Sequence, residues 1–354
     1  MGVFIDFSKA FDSLDHSILI EKLSNVGIRG IPLSLFKSYL RNRKQYVVYK
    51  GKPSNWNSIC TGVPQGSILG PILFLLYIND ITNVSDKLKY VIFADDTNIL
   101  MSHPNLQNLV HSLNIELSKI YNWICANKLA LNNTKSHYIH FHRKPCDPNI
   151  NKLSLGGKDV ECTKTTKFLG VTIDDRLTWK EHIANITLKI SKINGIIYRT
   201  RSLLTREALR SIYYSLVYPH LIYGVVVWGN ASTVHKKQLI VMQKRIIRTI
   251  MFMRRQESTK DVFNELGLLT INHIYDYFAT LFVFKSVHNL SPFQDYYDVI
   301  DHNYNTRGAN LNMNLPLTQS SQHQRHIIFA GAVRWNALPD YIKKITNITS
   351  FKIN

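Results

Sequence analysis

Tyr90-Val91-Ile92-Phe93-Ala94-Asp95-Asp96-Thr97-Asn98-Ile99-Leu100-Met101 decides the reading of this 354-residue chain. Two apolar, β-prone runs flank a pair of adjacent aspartates, which predicts a hairpin with both carboxylates at its tip. A tight hairpin turn normally takes Asn-Gly or Asp-Gly, because its central residues need positive φ. Asp-Asp is poor turn chemistry, and neighbouring carboxylates repel unless a cation lies between them. A divalent metal resolves that repulsion, since Mg²⁺ is typically held by one or two carboxylates plus substrate phosphates. The plain alternative is an ordinary polar turn, where Asp is common.

Working outward, Val3-Phe4-Ile5-Asp6-Phe7 reads as an apolar strand holding one aspartate. A carboxylate in a buried strand is costly, so Asp6 must reach an edge, a partner or a metal. Helices are expected over Ser17 to Val26, stopped by Gly27, and over Pro32 to Leu40, with Pro suited to a first turn. Gln45 to Tyr49 and Asn57 to Cys60 read as strands. Gly62-Val63-Pro64-Gln65-Gly66-Ser67-Ile68-Leu69-Gly70-Pro71 permits close backbone approach by a ligand before a helix from Ile72 to Ile81. That helix is apolar almost all round and is expected to be buried. Leu106 to Trp123 is amphipathic, and Tyr138 to Phe141 returns as a strand. This order predicts an α+β layer, helices on one face of a mostly antiparallel sheet. Phe168 to Asp174 adds a further strand or hairpin arm.

From Trp179 the character changes to long basic helices: Trp179 to Tyr198, Thr205 to Tyr218, Ser232 to Arg255 and Ile271 to His288. A boundary near residue 176 is expected, giving segments 1–176, 177–290 and 291–354. His302 to His323, rich in Asn, Ser, Thr and Gln, reads as a mobile linker before two short helices, His326 to Trp335 and Pro339 to Thr346.

The formal charge is +19. Between Lys180 and Lys260 there are 15 Lys and Arg against 3 Glu. A basic face of that kind favours a polyanion, nucleic acid first and an anionic membrane surface, through Lys236 to Lys260, as the weaker reading. No apolar run approaches the roughly 20 residues that cross a bilayer, and no signal peptide precedes the first strand. The four cysteines (Cys60, Cys125, Cys146, Cys162) lack C-x-x-C spacing. An intracellular product with reduced thiols, not bound to membrane, is therefore expected. His137, His140, His142, Cys146 and Cys162 could bind zinc, but the His140-Phe141-His142 alternation fits an exposed strand face better.

Taken together, the block Phe4 to Asp12, Gly62-Val63-Pro64-Gln65-Gly66-Ser67, Phe93-Ala94-Asp95-Asp96 and Phe168-Leu169-Gly170 resemble a reverse transcriptase. Asn127-Lys128-Leu129 and Lys135 fall between the last two, and the wording is that of the non-LTR (LINE-type, jockey-like) retrotransposon branch. The resemblance covers roughly residues 2 to 175. It implies a right-hand polymerase palm followed by a mostly α-helical thumb and C-terminal region. It also implies RNA-directed DNA polymerase activity with Mg²⁺ (or Mn²⁺), an RNA template, a DNA primer and deoxynucleoside triphosphates.

Carried over by position, Asp6, Asp95 and Asp96 match the catalytic, metal-binding aspartates. Asp12 and Asp15 are better explained as capping or solvated residues. Phe11 matches an aromatic gate under the incoming sugar; a core phenylalanine is the alternative. Gln65 and Gly66 match the block that contacts the nascent base pair, and Lys135 a lysine that protonates pyrophosphate. Phe168, Leu169 and Gly170 match the primer-grip hairpin, and Lys244, Arg245 and Arg248 are expected to meet nucleic acid on the thumb. The family carries a fingers region ahead of the first aspartate strand, whereas five residues precede Asp6 here. The resemblance therefore implies an N-terminally truncated product, with a catalytically inactive nucleic-acid-binding remnant as the alternative function.

Overall fold

The computed structural model describes residues 1–142, 152–299, 311–318 and 320–353. The chain divides into two compact units, Met1–Phe168 and Leu169–Asn354.

The first unit is built on a five-stranded sheet whose order is Glu161–Cys162, His137–Ile139, Gly2–Ile5, Asp96–Leu100, Lys89–Phe93. The first strand is central and runs antiparallel to both neighbours, with Gly2 opposite Leu100 and Ile139. Only the short edge strand Glu161–Cys162 is parallel to its partner. Alternation sorts the first strand: Val3, Ile5 and Phe7 enter the core with Leu19, Leu23, Phe74 and Leu113. Phe4 turns the other way and stacks on His137 at 5.3 Å. The expected α+β layer with a mostly antiparallel sheet is therefore present.

Helix positions follow the apolar periodicity, and the departures have physical causes. His16–Asn25 begins one residue early because Asp15 is its N-cap, accepting from the backbone N–H groups of Ser17 and Ile18. The apolar helix runs Leu69–Ile78 and tightens into a 3₁₀ segment, Asn79–Val84. It is not buried all round. Leu73, Phe74, Tyr77 and Ile78 are in the core, whereas Ile72 and Leu75 are 50% and 47% exposed. A helix at the rim of a two-layer unit has only one face to cover. The segment expected as two strands over residues 45–60 closes as small ladders, Lys44–Gln45 with Asn57–Ser58 and Val48–Tyr49 with Lys52–Pro53. The strand expected over Tyr138 to Phe141 is His137–Ile139, so His140 and His142 lie beyond it.

The second unit is helical. Lys180–Thr200 and Thr233–Ile250 pack through Ile183, Ile186, Ile190, Leu239, Ile246 and Ile250. The helix expected over Thr205 to Tyr218 is instead Arg206–Ile212, a π-turn at Tyr213–Val217, then Tyr218–Ile222. Pro219 supplies the reason, since it offers no N–H and its ring would strike the carbonyl one α-turn back; widening the turn avoids both.

Much of the expected linker, His302 to His323, lies outside the described residues. Its described part is packed at Met313, which is 1% exposed and whose N–H donates to Asn336 Oδ1 at 2.7 Å. Ser321–Arg325 is a short helix. Phe351 stacks on Phe284 at 4.2 Å, joining the C-terminal residues to the helix Ile271–Val287. Among the described residues no helix is long and apolar enough to cross a membrane. Cys60, Cys125 and Cys162 are free thiols, and Cys146 lies outside the described residues.

Candidate active site

The hairpin Lys89–Phe93/Asp96–Leu100 pairs Phe93 with Asp96, so its two-residue turn is Ala94-Asp95. This corrects the expectation of both carboxylates at the tip: Asp95 is in the turn and Asp96 opens the returning strand. The backbone strain also falls elsewhere than on the aspartate pair. Ala94 takes φ +51°, the left-handed region that normally calls for glycine in such turns. Asp6 follows directly on the central strand. Continuing the register in which Ile5 faces Thr97 carries Asp6 opposite Asp96.

Asp6 is held by its backbone, donating from N to Ser136 Oγ at 3.1 Å and accepting at O from Asn132 N at 2.9 Å. Its side chain and that of Asp95 line one open cleft of 530 Å³ with Phe11, Asp12, Gln65 and Lys135. The cleft wall then turns sharply at Lys9, φ +49°. Left-handed non-glycine residues concentrate at functional sites, and Lys9 lines this one.

Phe11 is half-buried, its ring 4.8 Å from that of Phe74 while it also lines the cleft. It is therefore both a packing residue and a cleft residue. Gln65 Nε2 donates to Asp12 Oδ1 at 2.9 Å. Asp12 is exposed, in keeping with a solvated position, and its carboxylate also orients Gln65. Asp15, by contrast, caps its helix, and the Lys128 ammonium at 2.7 Å holds its carboxyl well below the usual carboxylate range, with Ser17 assisting. Asn132 and Ser136 carried no sequence signal; only the return of the chain after residue 127 brings them to Asp6.

The Gly62–Gly66 loop is tied to the first-strand turn by Gly62 N to Leu14 O at 2.7 Å and Val63 N to Phe11 O at 2.8 Å. A Cβ on Gly62 would lie 2.7 Å from Asp12 Cα, at a φ of +79°. Gly66 also has positive φ, +80°, but an added Cβ meets nothing within 4 Å. Gly62→Ala is therefore expected to destabilise by at least about 2 kcal/mol, since strain and a backbone clash add. Gly66→Ala should lose about 1 kcal/mol, from conformation alone. Chemical denaturation of both variants measures the difference; equal losses would show that the loop is not pressed against Asp12.

Burial, then the charges of Asp95 and Asp6, pushes the Asp96 carboxyl above the usual carboxylate range. The Asp96 carboxyl therefore feels the charges of the other two. Among the described residues no three metal-ligating side chains form a ready-made cage. The donor set nonetheless fits a hard cation such as Mg²⁺, which takes few protein carboxylates and completes its shell with water and substrate phosphates. As pH rises, the unfolded state loses the Asp96 proton first, so stability falls through the carboxylate range and stays lower above it. Asp96→Asn should then raise metal-free Tm at neutral pH, by an effect of at most about 1 kcal/mol at so exposed a position. The gain should vanish below about pH 3. Added Mg²⁺ should raise the wild-type Tm more than the variant's. A pH-independent difference would remove Asp96 from the carboxylate cluster.

Zinc has less support. His137 Nδ1 contacts Lys135 O at 2.7 Å and Nε2 contacts Thr166 Oγ1 at 2.6 Å, so both ring nitrogens are engaged. Cys146 lies outside the described residues.

In the second unit, Leu169 and Gly170 form a turn in which both take positive φ, +44° and +80°. Tyr223 Oη donates to Leu169 O at 2.6 Å, and its ring leaves 3.2 Å for a Cβ on Gly170. Phe168 closes the first unit, its ring 6.4 Å from Phe4. Lys244, Arg245 and Arg248 line a separate basic groove. Lys236 does not belong to that face; it is 7% exposed and donates to Gly229 O and Asn272 Oδ1.

Residues 1–173 match the family model described as reverse transcriptase (RNA-dependent DNA polymerase), and this part of the chain belongs to that family. The chain is 29% identical over 281 residues to the RNA-directed DNA polymerase from mobile element jockey of Drosophila melanogaster, covering 75% of this chain and 30% of that protein. It is 29% identical over 260 residues to the probable RNA-directed DNA polymerase from transposon BS of the same species, covering 70% and 28%. It thus spans under a third of the length of these relatives. Among solved structures, a telomerase from Candida albicans in complex with a telomeric RNA fragment aligns at 12% identity and a TM-score of 0.37, over 76% of this chain and 49% of that one.

Proposed function

We propose that this chain carries out RNA-directed DNA synthesis, joining a deoxynucleotide to a primer 3′-hydroxyl on an RNA template. The observation that carries the reading is the shared cleft, in which Asp6 and Asp95 meet Phe11, Gln65 and Lys135 from four separate stretches of sequence. On this reading residues 1–176 act as the palm, 177–290 as a thumb and 291–354 as a C-terminal appendage.

Asp6, Asp95 and Asp96 would hold divalent metal, which when bound lowers the pKa of the attacking hydroxyl and neutralises charge on the phosphates. The bond from the primer 3′-oxygen to the α-phosphorus forms as the bond to pyrophosphate breaks. Lys135, exposed at the cleft rim, can give its proton to the departing pyrophosphate. Gln65, fixed by Asp12, is positioned to touch the nascent base pair, with Gly66 allowing the backbone close approach. The Leu169-Gly170 turn, buttressed by Tyr223, would bear on the primer, and Lys244, Arg245 and Arg248 on the nucleic-acid backbone.

Extension of a DNA primer annealed to RNA, with Mg²⁺ and deoxynucleotides, tests the proposal. Incorporation that stops without Mg²⁺ supports it. Hybrid binding with no extension under any divalent cation would replace it with a binding remnant.

A further inference from the structure

Lys135 and Asp6 line the same cleft, yet among the described residues no ion pair joins them. The strand register makes that separation unexpected. The central strand Gly2–Ile5 pairs antiparallel with His137–Ile139, Phe4 facing His137. Continued without a break, this ladder would carry Asp6 opposite Lys135, with both side chains on one face of the sheet and their Cβ atoms about 5 Å apart. An ammonium and a carboxylate so placed attract each other, and the charges of Asp95 and Asp96 would add to the pull. A lysine held on Asp6 would occupy the place a metal needs.

The chain avoids this with a bulge. After Phe4 and His137, the next pairing on this side is Phe7 with Leu131. The first strand advances three residues between the two pairings, and the facing segment takes twice as many. The surplus leaves the ladder at residues 132–136, and Lys135 stands on it. Bulges gather beside active sites, where they re-aim a side chain.

All four backbone groups that Asp6 and Lys135 would exchange in an unbroken ladder have other partners. Asp6 O accepts from Asn132 N at 2.9 Å, and Asp6 N donates to Ser136 Oγ at 3.1 Å. Lys135 N donates to Asn132 O at 3.2 Å, and Lys135 O contacts His137 Nδ1 at 2.7 Å. Thr134 Oγ1 braces the bulge from within, donating to Asn132 Oδ1 at 2.7 Å. Ser136 is 3% exposed and does not line the cleft, so it acts through the residues it holds.

We propose that Ser136 is a positioning residue: by taking the Asp6 N–H it closes the bulge that keeps Lys135 off Asp6, leaving the carboxylate to metal and the ammonium to the departing pyrophosphate. This rests on the function proposed above. In that step the bond from the 3′-oxygen to phosphorus forms and the bond to pyrophosphate breaks. The leaving oxygen takes a proton from Lys135 Nζ, and the hydroxyl proton passes to solvent.

The test follows Mg²⁺ binding by the rise in Tm of the full chain, without nucleotide, beside single-turnover primer extension. Ser136→Ala leaves the Asp6 N–H unpaired and frees the bulge. It should raise the Mg²⁺ concentration at half-effect at least about threefold, slow extension, and speed hydrogen exchange at the Asp6 amide. Adding Lys135→Met to Ser136→Ala should return the Mg²⁺ midpoint to the wild-type value without restoring the rate. Lys135→Met alone should move that midpoint little, a coupling that a merely structural serine would not show. Ser136→Thr keeps the hydroxyl and should match wild type in both measurements. Thr134→Val, at an exposed position, should shift the midpoint in the same direction by a smaller factor, and it decides the matter if Ser136→Ala does not fold. A midpoint unmoved by freeing the bulge, or moved equally with and without Lys135, would overturn the inference. A wild type that shows the Mg²⁺ pattern yet extends no primer would overturn the proposed function alone, and a wild-type Tm indifferent to Mg²⁺ would overturn both.

Discussion

Replacing Asp95 with asparagine should abolish primer extension, by at least about a thousandfold, and leave the fold intact. The size of the effect follows from the chemistry proposed for the cleft. Divalent metal supplies several kcal/mol of transition-state charge stabilisation, and about 4 kcal/mol corresponds to a thousandfold in rate. The fold survives because of where Asp95 lies. It occupies the two-residue turn between Phe93 and Asp96 and is exposed, so no core contact is lost. Asparagine is itself a favoured turn residue. Removing one of the charges that face Asp96 also relieves repulsion, so metal-free Tm should hold or rise. The measurement pairs extension at saturating Mg²⁺ with thermal unfolding in chelator. Full extension by the variant would exclude Asp95 from the reacting centre, and loss of extension with a collapse of Tm would make the effect structural.

The sequence made the helices legible because their apolar residues recur at helical spacing, as in Leu109, Leu113, Leu117, Ile120 and Ile124, all buried in the helix Leu106–Ala126. The central strand was legible for the complementary reason, alternation of Val3, Ile5 and Phe7. What escaped was fixed by contacts between distant residues. Asp12 read as a solvated residue because nothing local shows that Gln65, 53 positions on, donates to it. The hairpin turn was misplaced by one residue, and with it the strain, because the register is set by pairing with the first strand as well as within the hairpin. Lys236 looked like part of a basic run, yet its ammonium is buried against Gly229 and Asn272. The basic helices were visible as charge; the Tyr198–Arg201–Phe252 stack was not, since it joins the ends of two helices some fifty residues apart in the chain.

Phe11→Ala is expected to raise ribonucleotide incorporation relative to deoxynucleotide at least about tenfold. That is the consequence of removing only about 1.4 kcal/mol of discrimination. The ring lines the same cleft as Asp6 and Gln65, where a sugar 2′-hydroxyl would collide with it. A second effect must be separated from this one. The ring also packs on Phe74 at 4.8 Å, and losing an aromatic pair together with its buried area should destabilise the first unit by about 1–3 kcal/mol. Selectivity is a ratio measured on folded molecules, so instability alone leaves it unchanged while lowering both rates together. Phe11→Leu sharpens the comparison, since it keeps an apolar contact with Phe74 while withdrawing the edge of the ring from the cleft. The gate predicts an intermediate selectivity for Leu with little loss of Tm, and a fully relaxed selectivity for Ala. If both variants lose stability in proportion to the volume removed and neither moves the ratio, Phe11 is a core residue that happens to border the cleft, and sugar discrimination resides in another side chain of that wall.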